Sequence, residues 1–205
     1  NIRINGVHLH SSHVILSEEV FEKGIKTVFE IAKLFDHLEY VNFGGGIMVK
    51  HHPDDKVVKI DKIGEILKKE YDKFCISIGK KIKIWFEPGR YLLSESGCLL
   101  AKAVVLKTNG FINFVGTNTG FNHLLRPMMY DAYHQIINIT NPDGELEKYN
   151  IVGNLCEIDN IGTNRILNKV RQNDIIMIKN AGAYGFSMSS NYNTRPKPAE
   201  VLIIN

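Results

Sequence analysis

Apolar and polar positions along the first part of the chain follow two rhythms in turn. Ile2 to His10 reads as a strand, with Ser11-Ser12 as its exit. Ser17 stands where a helix N-cap belongs, and Glu18 and Glu19 follow in the first turn, where the helix dipole favours acids. Val20, Phe21, Ile25, Val28, Phe29, Ala32 and Phe35 then keep helical spacing as far as Leu38. Glu39 to Phe43 is a second strand, closed by three glycines, and His51-His52-Pro53-Asp54-Asp55 reads as a surface loop. Asp61 is placed to cap a second helix, whose Ile63, Ile66, Leu67, Phe74 and Ile78 form one apolar side. Lys81 to Phe86 is the third strand. Strand, helix, strand, helix, strand predicts parallel pairing with right-handed crossovers.

After about Ser96 the pattern changes. Leu99 to Lys107, Ile112 to Gly116, Tyr133 to Ile139, Tyr149 to Val152, Ile175 to Lys179 and Val201 to Ile204 are short β-branched runs. Turn signals such as Thr108-Asn109-Gly110 and Asn141-Pro142-Asp143-Gly144 separate them. The fold class is therefore α/β plus β, with an α/β part over 1–96 and a mostly antiparallel β domain over 97–205. About three βα units alone leave a parallel sheet with two raw edges, which parallel sheets avoid. Either the sheet is small and open, or it is the last part of a barrel whose first units lie upstream.

At 205 residues there is enough chain for a real core, as one large domain or two small ones. The formal charge is only +3, with lysine interleaved among acids, which argues against nucleic acid or a membrane surface as the main partner. No window is apolar enough to span a bilayer, and nothing at the start resembles a signal peptide. Cys75, Cys98 and Cys156 are far apart with no CxxC, so neither a disulfide framework nor a zinc site is suggested, and a reducing cytoplasm is the default. The chain begins Asn1-Ile2-Arg3, without an initiator methionine.

Chemistry concentrates at the expected strand ends. Glu87-Pro88-Gly89-Arg90 puts a carboxylate, a turn and a guanidinium directly after a buried strand, at the edge where α/β proteins place ligands. A solvated turn is the plainer alternative. Gly44-Gly45-Gly46 could let backbone N–H groups approach phosphate oxygens, or could be a simple flexible turn. His8 and His10 alternate along a strand, so one would face the strand-end cavity while the other packs. On the pentapeptide alone, Arg126-Pro127-Met128-Met129-Tyr130 reads as a surface arginine beside an aromatic. Cys156, next to Glu157, is by residue type more often a small hydrophobe than a catalyst. Asn180 to Gly185 looks like a tightly packed helix start with the Tyr184 hydroxyl free, and Asn191-Tyr192-Asn193 like a turn.

Taken in order, several stretches resemble the diaminopimelate decarboxylase family, within the fold type III (alanine-racemase-like) pyridoxal-phosphate decarboxylases. They are Gly6-Val7-His8-Leu9-His10, Asn42-Phe43-Gly44-Gly45-Gly46, Glu87-Pro88-Gly89-Arg90, the run Arg126 to His134, Cys156-Glu157 and Gly182-Ala183-Tyr184-Gly185. The resemblance reaches from the first residues to Glu200. It implies the C-terminal part of a TIM-type barrel followed by a β domain, pyridoxal 5'-phosphate as cofactor, and decarboxylation of meso-2,6-diaminopimelate to L-lysine at the end of lysine biosynthesis. By the same resemblance, His10 lies against the cofactor ring, Gly44, Gly45 and Gly46 hold the phosphate, and Glu87 pairs with the ring nitrogen beside Pro88, Gly89 and Arg90. Arg90, Arg126 and Tyr130 would contact substrate, Cys156 would donate the proton after carbon dioxide leaves, and Glu157 would bind the distal end of the substrate. Tyr184 would touch cofactor and substrate, and in a homodimer Cys156 and Glu157 would enter the partner's site.

Three departures stand out. Ser11-Ser12-His13 replaces a usual Thr-Gly-Ser, so Ser12 or His13 would take over the phosphate contact. Asn118 stands where aspartate is usual, and Ile158 where serine follows the glutamate. The family's Schiff-base lysine belongs to an early barrel strand, and no lysine here matches it; Lys102 falls mid-strand in the β domain and should face solvent. The chain would then need the N-terminal half of the barrel to hold the cofactor. A non-catalytic relative that binds a partner enzyme, or a decarboxylase of the ornithine or arginine type, is the alternative.

Overall fold

The computed structural model describes residues 2–10, 15 and 17–204, so the expectation for Ser12 and His13 lies outside the described residues. It contains two compact units, one running to Lys50 and resuming at Asp54–Leu92, the other formed by His51–Pro53 and the chain from Leu93 onward.

In the first unit, β1 (Gly6–His8), β2 (Tyr40–Asn42) and β3 (Lys83–Trp85) pair in parallel in the order β1-β2-β3, with Val7 opposite Val41 and Val41 opposite Ile84. Helix α1 (Glu18–Ala32) begins as expected: the Ser17 side chain accepts the Val20 N–H, and Glu18 and Glu19 occupy the first turn. It ends short of Leu38 because the last turn tightens, with Leu34 N–H bonding Ile31 O and Phe35 N–H bonding Ala32 O. Helix α2 (Ile60–Ile78) starts at Lys59, whose carbonyl accepts the first N–H groups, and stops at the left-handed Gly79 (φ 69°). Asp61 therefore lies within the first turn and is not the cap. Val41 shares one buried core with residues of both helices, where Phe29 is stacked on Phe74 (4.4 Å) and edge-on to Phe43 (5.5 Å). A short helix α3 (Gly89–Leu93) follows the third strand.

The second unit is a six-stranded sheet of β4 (Leu99–Asn109), β5 (Ile112–Thr117), β6 (Ile136–Asn138), β7 (Leu146–Val152), β8 (Asn160–Asn168) and β9 (Ile175–Ile178), in the order β6-β9-β4-β5-β7-β8. Every described pair is antiparallel except β5 with β7, and β6 also approaches β8, so the mixed sheet nearly closes on itself. Ala101, Ala103, Val115, Ile151, Ile176 and Ile178 fill its interior. Helix α4 (Arg126–Tyr130) sits in the connection from β5 to β6.

The sequence pattern misses one strand of this unit, and one expected strand needs correction. Strand β8 escapes the sequence pattern because Asn164 takes a left-handed φ of 53° and the pairing with β7 shifts register, so inward and outward positions do not alternate. Val201 to Ile204 forms no strand; these residues are exposed, and β-branching alone supplied no pairing partner. Lys102 is exposed on β4, as the pattern indicated.

Candidate active site

In the α/β unit the three parallel strands end together, and the chemistry gathers there. Asn42, the last residue of β2, divides its side chain: Oδ1 accepts the Gly44 N–H at 2.9 Å, and Nδ2 donates to Glu87 Oε1 at 2.8 Å. His8 Nε2, from the end of β1, lies 3.3 Å from the same Glu87 oxygen. The backbone repeats the link, since Glu87 N–H donates to Gly44 O at 2.8 Å. Thus the acid after β3 and the glycine bend after β2 meet. Glycine is required on steric grounds: Gly44 has φ 65°, and a Cβ at Gly45 would stand 2.6 Å from Glu87 O.

His10 joins this cluster by a route the sequence did not suggest. Strand β1 ends at His8, so the alternation that would turn His8 and His10 to opposite sides stops before it can act. His10 Nδ1 accepts the Gly45 N–H at 3.1 Å, and His10 Cβ would be 2.8 Å from a Cβ on Gly44. Both histidines consequently face the strand-end cluster. Pro88 and Gly89 turn the chain into α3, with Gly89 N–H donating to Glu87 O at 2.9 Å. Arg90 is partly buried and has no ion-pair partner among the described residues.

The β unit holds its candidate residues differently. Arg126 opens α4 and is buried (6% exposed), which overturns its reading as a surface arginine. The reason is His134, itself fully buried. Arg126 Nη1 and His134 Nε2 are 3.0 Å apart, and His134 Nδ1 is 2.8 Å from Lys179 O. Burial, reinforced by the charges of Arg126 and Arg165, lowers the His134 pKa to about 4 against the pull of the Lys179 carbonyl. The imidazole is therefore neutral, donating through Nδ1–H and accepting from the guanidinium at Nε2. Tyr130 lies exposed at the far end of α4. Beside that helix opens a cleft of about 730 Å³, whose lining includes Met128, Asp131, Tyr133, Ile158 and Arg165, with the Arg165 guanidinium 3.7 Å over the Tyr133 ring.

Cys156 and Glu157 lie in the loop between β7 and β8. Cys156 is an exposed free thiol, not a packed hydrophobe, and its Sγ is 3.4 Å from Glu157 Oε2. Asp159 anchors the loop from below. Its Oδ1 accepts the Phe121 N–H at 2.7 Å and its Oδ2 the Leu155 N–H at 3.2 Å, while its backbone carbonyl accepts Gly153 N–H. Burial pushes the Asp159 carboxyl up despite those donors. Tyr192 donates its hydroxyl to Glu157 Oε1, and Asn193 Nδ2 lies 3.8 Å from Cys156 Sγ.

Tyr184 adopts a left-handed φ of 64° and is 42% exposed, within turns followed by a single 3₁₀ turn (Phe186–Met188) rather than at a helix start. The tight packing expected there is real: a Cβ on Gly182 would meet Leu93 O at 2.0 Å and Gly97 N at 2.8 Å. Sequence reasoning assigned no role to Asn42, His134, Asp159, Tyr192 or Asn193. An asparagine directly before the glycines was a readable signal for Asn42, and His134 fell inside the run that carried the resemblance. Tyr192 gave none, since Glu157 is 35 positions away.

Comparison with known proteins identifies the family of the chain. Residues 32–182 match the family model described as pyridoxal-dependent decarboxylase, C-terminal sheet domain. The diaminopimelate decarboxylase of Methanothermobacter thermautotrophicus is 36% identical over 209 residues, covering 97% of this chain and 48% of that protein. That of Aquifex aeolicus is 34% identical, covering 100% and 49%. Among solved structures, diaminopimelate decarboxylase from M. jannaschii with L-lysine superposes with a TM-score of 0.88 at 31% identity, covering 95% of this chain and 45% of that one. The Helicobacter pylori enzyme with L-lysine gives 0.84 at 31% identity, with 95% and 48% covered. The chain thus spans about half the length of the relatives it matches. By its family match and its fold, it belongs to the pyridoxal-dependent decarboxylases and comprises their C-terminal sheet domain preceded by parallel βα units of the barrel.

Proposed function

We propose that this chain supplies the ring-nitrogen partner and the substrate-reading groups of a diaminopimelate decarboxylase, which converts meso-2,6-diaminopimelate to L-lysine and carbon dioxide. The observation that carries the reading is Glu87, fixed by Asn42 and His8 through Oε1 and set directly against the Gly44-Gly45 bend. Its Oε2 makes no hydrogen bond among the described residues, and its side chain is 52% exposed, so an N–H donor can reach it. A carboxylate anchored beside glycines too crowded for any Cβ suits a phosphorylated pyridine. Pyridoxal phosphate, when bound, supplies an electron sink for the pair released as carbon dioxide leaves.

The chain's own residues divide the remaining work. Glu87 holds the ring nitrogen protonated by accepting its hydrogen bond. The glycine bend and Arg90 take the phosphate and a carboxylate by close approach and by paired N–H donation. His10 flanks the ring, while Tyr130 and Tyr184 offer exposed hydroxyls to cofactor or substrate. Arg126 and Glu157 read the two charges of the distal amino-acid end, so a substrate lacking that carboxylate forgoes a charge-assisted contact with the arginine. The Cys156 thiol gives its proton to the α-carbon once the carboxyl group has left. The active form is a homodimer in which Cys156 and Glu157 serve the partner's site, in a cytoplasmic enzyme that includes the N-terminal half of the barrel and its lysine. No described helix is long and apolar enough to cross a membrane.

The test is carbon dioxide release by this chain joined to its upstream half. The expected result is turnover of meso-diaminopimelate at least a hundredfold faster than of ornithine or lysine, and lower turnover with retained cofactor for Cys156→Ala. Preference for ornithine, or cofactor absorbance acquired by this chain without its upstream half, would overturn the assignment.

A further inference from the structure

The short turn Tyr192–Thr194 grips the loop that carries Cys156 and Glu157 at several points. Tyr192 donates to Glu157 Oε1, Asn193 Nδ2 points at Cys156 Sγ (3.8 Å), and Arg195 Nη2 donates to Asn154 O at 3.0 Å. The other side of the turn is fixed as firmly. Ser190 N–H donates to Asn122 O at 2.8 Å, His123 Nε2 lies 2.9 Å from Pro196 O, and the Tyr192 ring packs 5.4 Å from Phe121. Asn193 and Thr194 both take left-handed φ values, 53° and 56°. That conformation is unfavourable for any residue with a Cβ and most of all for β-branched threonine, so the surroundings must impose it.

We propose that Tyr192 is a positioning residue for Glu157, fixing which carboxylate oxygen meets the distal ammonium of the substrate, with Asn193 steadying the neighbouring thiol. This rests on the decarboxylase reading given above. With Oε1 held by the phenol, Oε2 accepts the Cys156 thiol at 3.4 Å and keeps a second lone pair for a ligand. Recognition of the far end of the substrate is thereby placed beside the proton donor. The phenol also keeps the acid charged: the Tyr192 hydroxyl is the main reason the Glu157 carboxyl lies below its usual range, and the same bond raises Tyr192. An ionised Glu157 with one oxygen already committed is a directional acceptor for an ammonium group.

The experiment is a double-mutant cycle in the full-length enzyme, using Tyr192→Phe, Glu157→Gln and the two combined, with KM and kcat for meso-diaminopimelate as readouts. Tyr192→Phe is expected to raise KM about tenfold while kcat stays within about twofold, because a hydrogen bond to a charged group is lost outside the reacting centre. On the Glu157→Gln background the same change should move KM by less than about twofold. Unchanged cofactor absorbance and circular dichroism establish that the variant folds. An unmoved KM in Tyr192→Phe, or an equal rise on both backgrounds, overturns the proposal while the decarboxylase reading survives. A wild-type enzyme that releases no carbon dioxide from this substrate overturns both.

Discussion

At the strand ends of the α/β unit, His8 and Glu87 each keep 52% of the side chain open to solvent. In the β unit, Arg126 and His134 are buried one against the other, and Asp159 is enclosed by backbone N–H groups and two glycines. The two regions hold polar groups in place by different means. An exposed carboxylate keeps its hydration, so its partners contribute orientation and little net stability. A buried imidazole or carboxylate has lost that hydration, and each missing partner leaves a desolvated group unsatisfied. Substitutions in the first region should therefore change ligand binding with the fold intact, whereas in the second they should change both.

The largest effect expected is for Gly153→Ala, whose Cβ would stand 1.8 Å from Asp159 Oδ2. Overpacking against a fixed carboxylate should cost about 3 kcal/mol, read as a lower denaturation midpoint. A midpoint equal to wild type would mean the Asp159 cage yields easily. The next is a pH effect at His134. Its folded pKa of about 4 lies below the ordinary histidine value of 6.5, so between these values the unfolded chain binds the extra proton. Stability from this group is complete above pH 6.5 and falls by about 3 kcal/mol as pH drops to 4. Urea midpoints across that range should show this slope in wild type and not in His134→Gln; identical slopes would remove His134 as the cause.

Smaller effects sharpen the contrast in the α/β unit. Gly24, inside α1, has open space where a Cβ would stand, with nothing beyond its own helix backbone and chain neighbours within 4 Å, so Gly24→Ala should stabilise the protein by about 1 kcal/mol. Glu87→Gln should shift stability by less than about 1 kcal/mol, since the carboxylate and His8 are half exposed, yet weaken cofactor retention measured by dialysis and absorbance. A large loss of stability in that variant would erase the distinction between the two regions.

Much of the α/β unit was legible in the sequence because its signals are local. Phe21, Ile25, Val28 and Phe29 repeat at helical spacing, Ser17 marks a helix start, and an acid directly after an apolar run falls at a strand end by construction. The meeting of Glu87 with Gly44 follows from parallel register, which the alternation of strands and helices already implied. In the β unit the decisive contacts are long-range. Arg126 is buried because a histidine eight positions on is itself held by Lys179 O, 45 positions further. Strand β8 was hidden by a bulge, and Val201 to Ile204 showed strand propensity without a partner. Tyr192 acquires meaning only through Glu157.

The parallel contact between β5 and β7 has a bearing on where this unit tolerates changes in chain length. Two parallel neighbours need a long return path, and here that path carries α4, with Arg126 and Tyr130 aboard. Loop closure grows only slowly with length, by roughly 0.6 kcal/mol per doubling. The exposed positions of the stretch ahead of β6 can accordingly be lengthened or trimmed while strand register stays as it is, so long as the buried Arg126–His134 pair is kept.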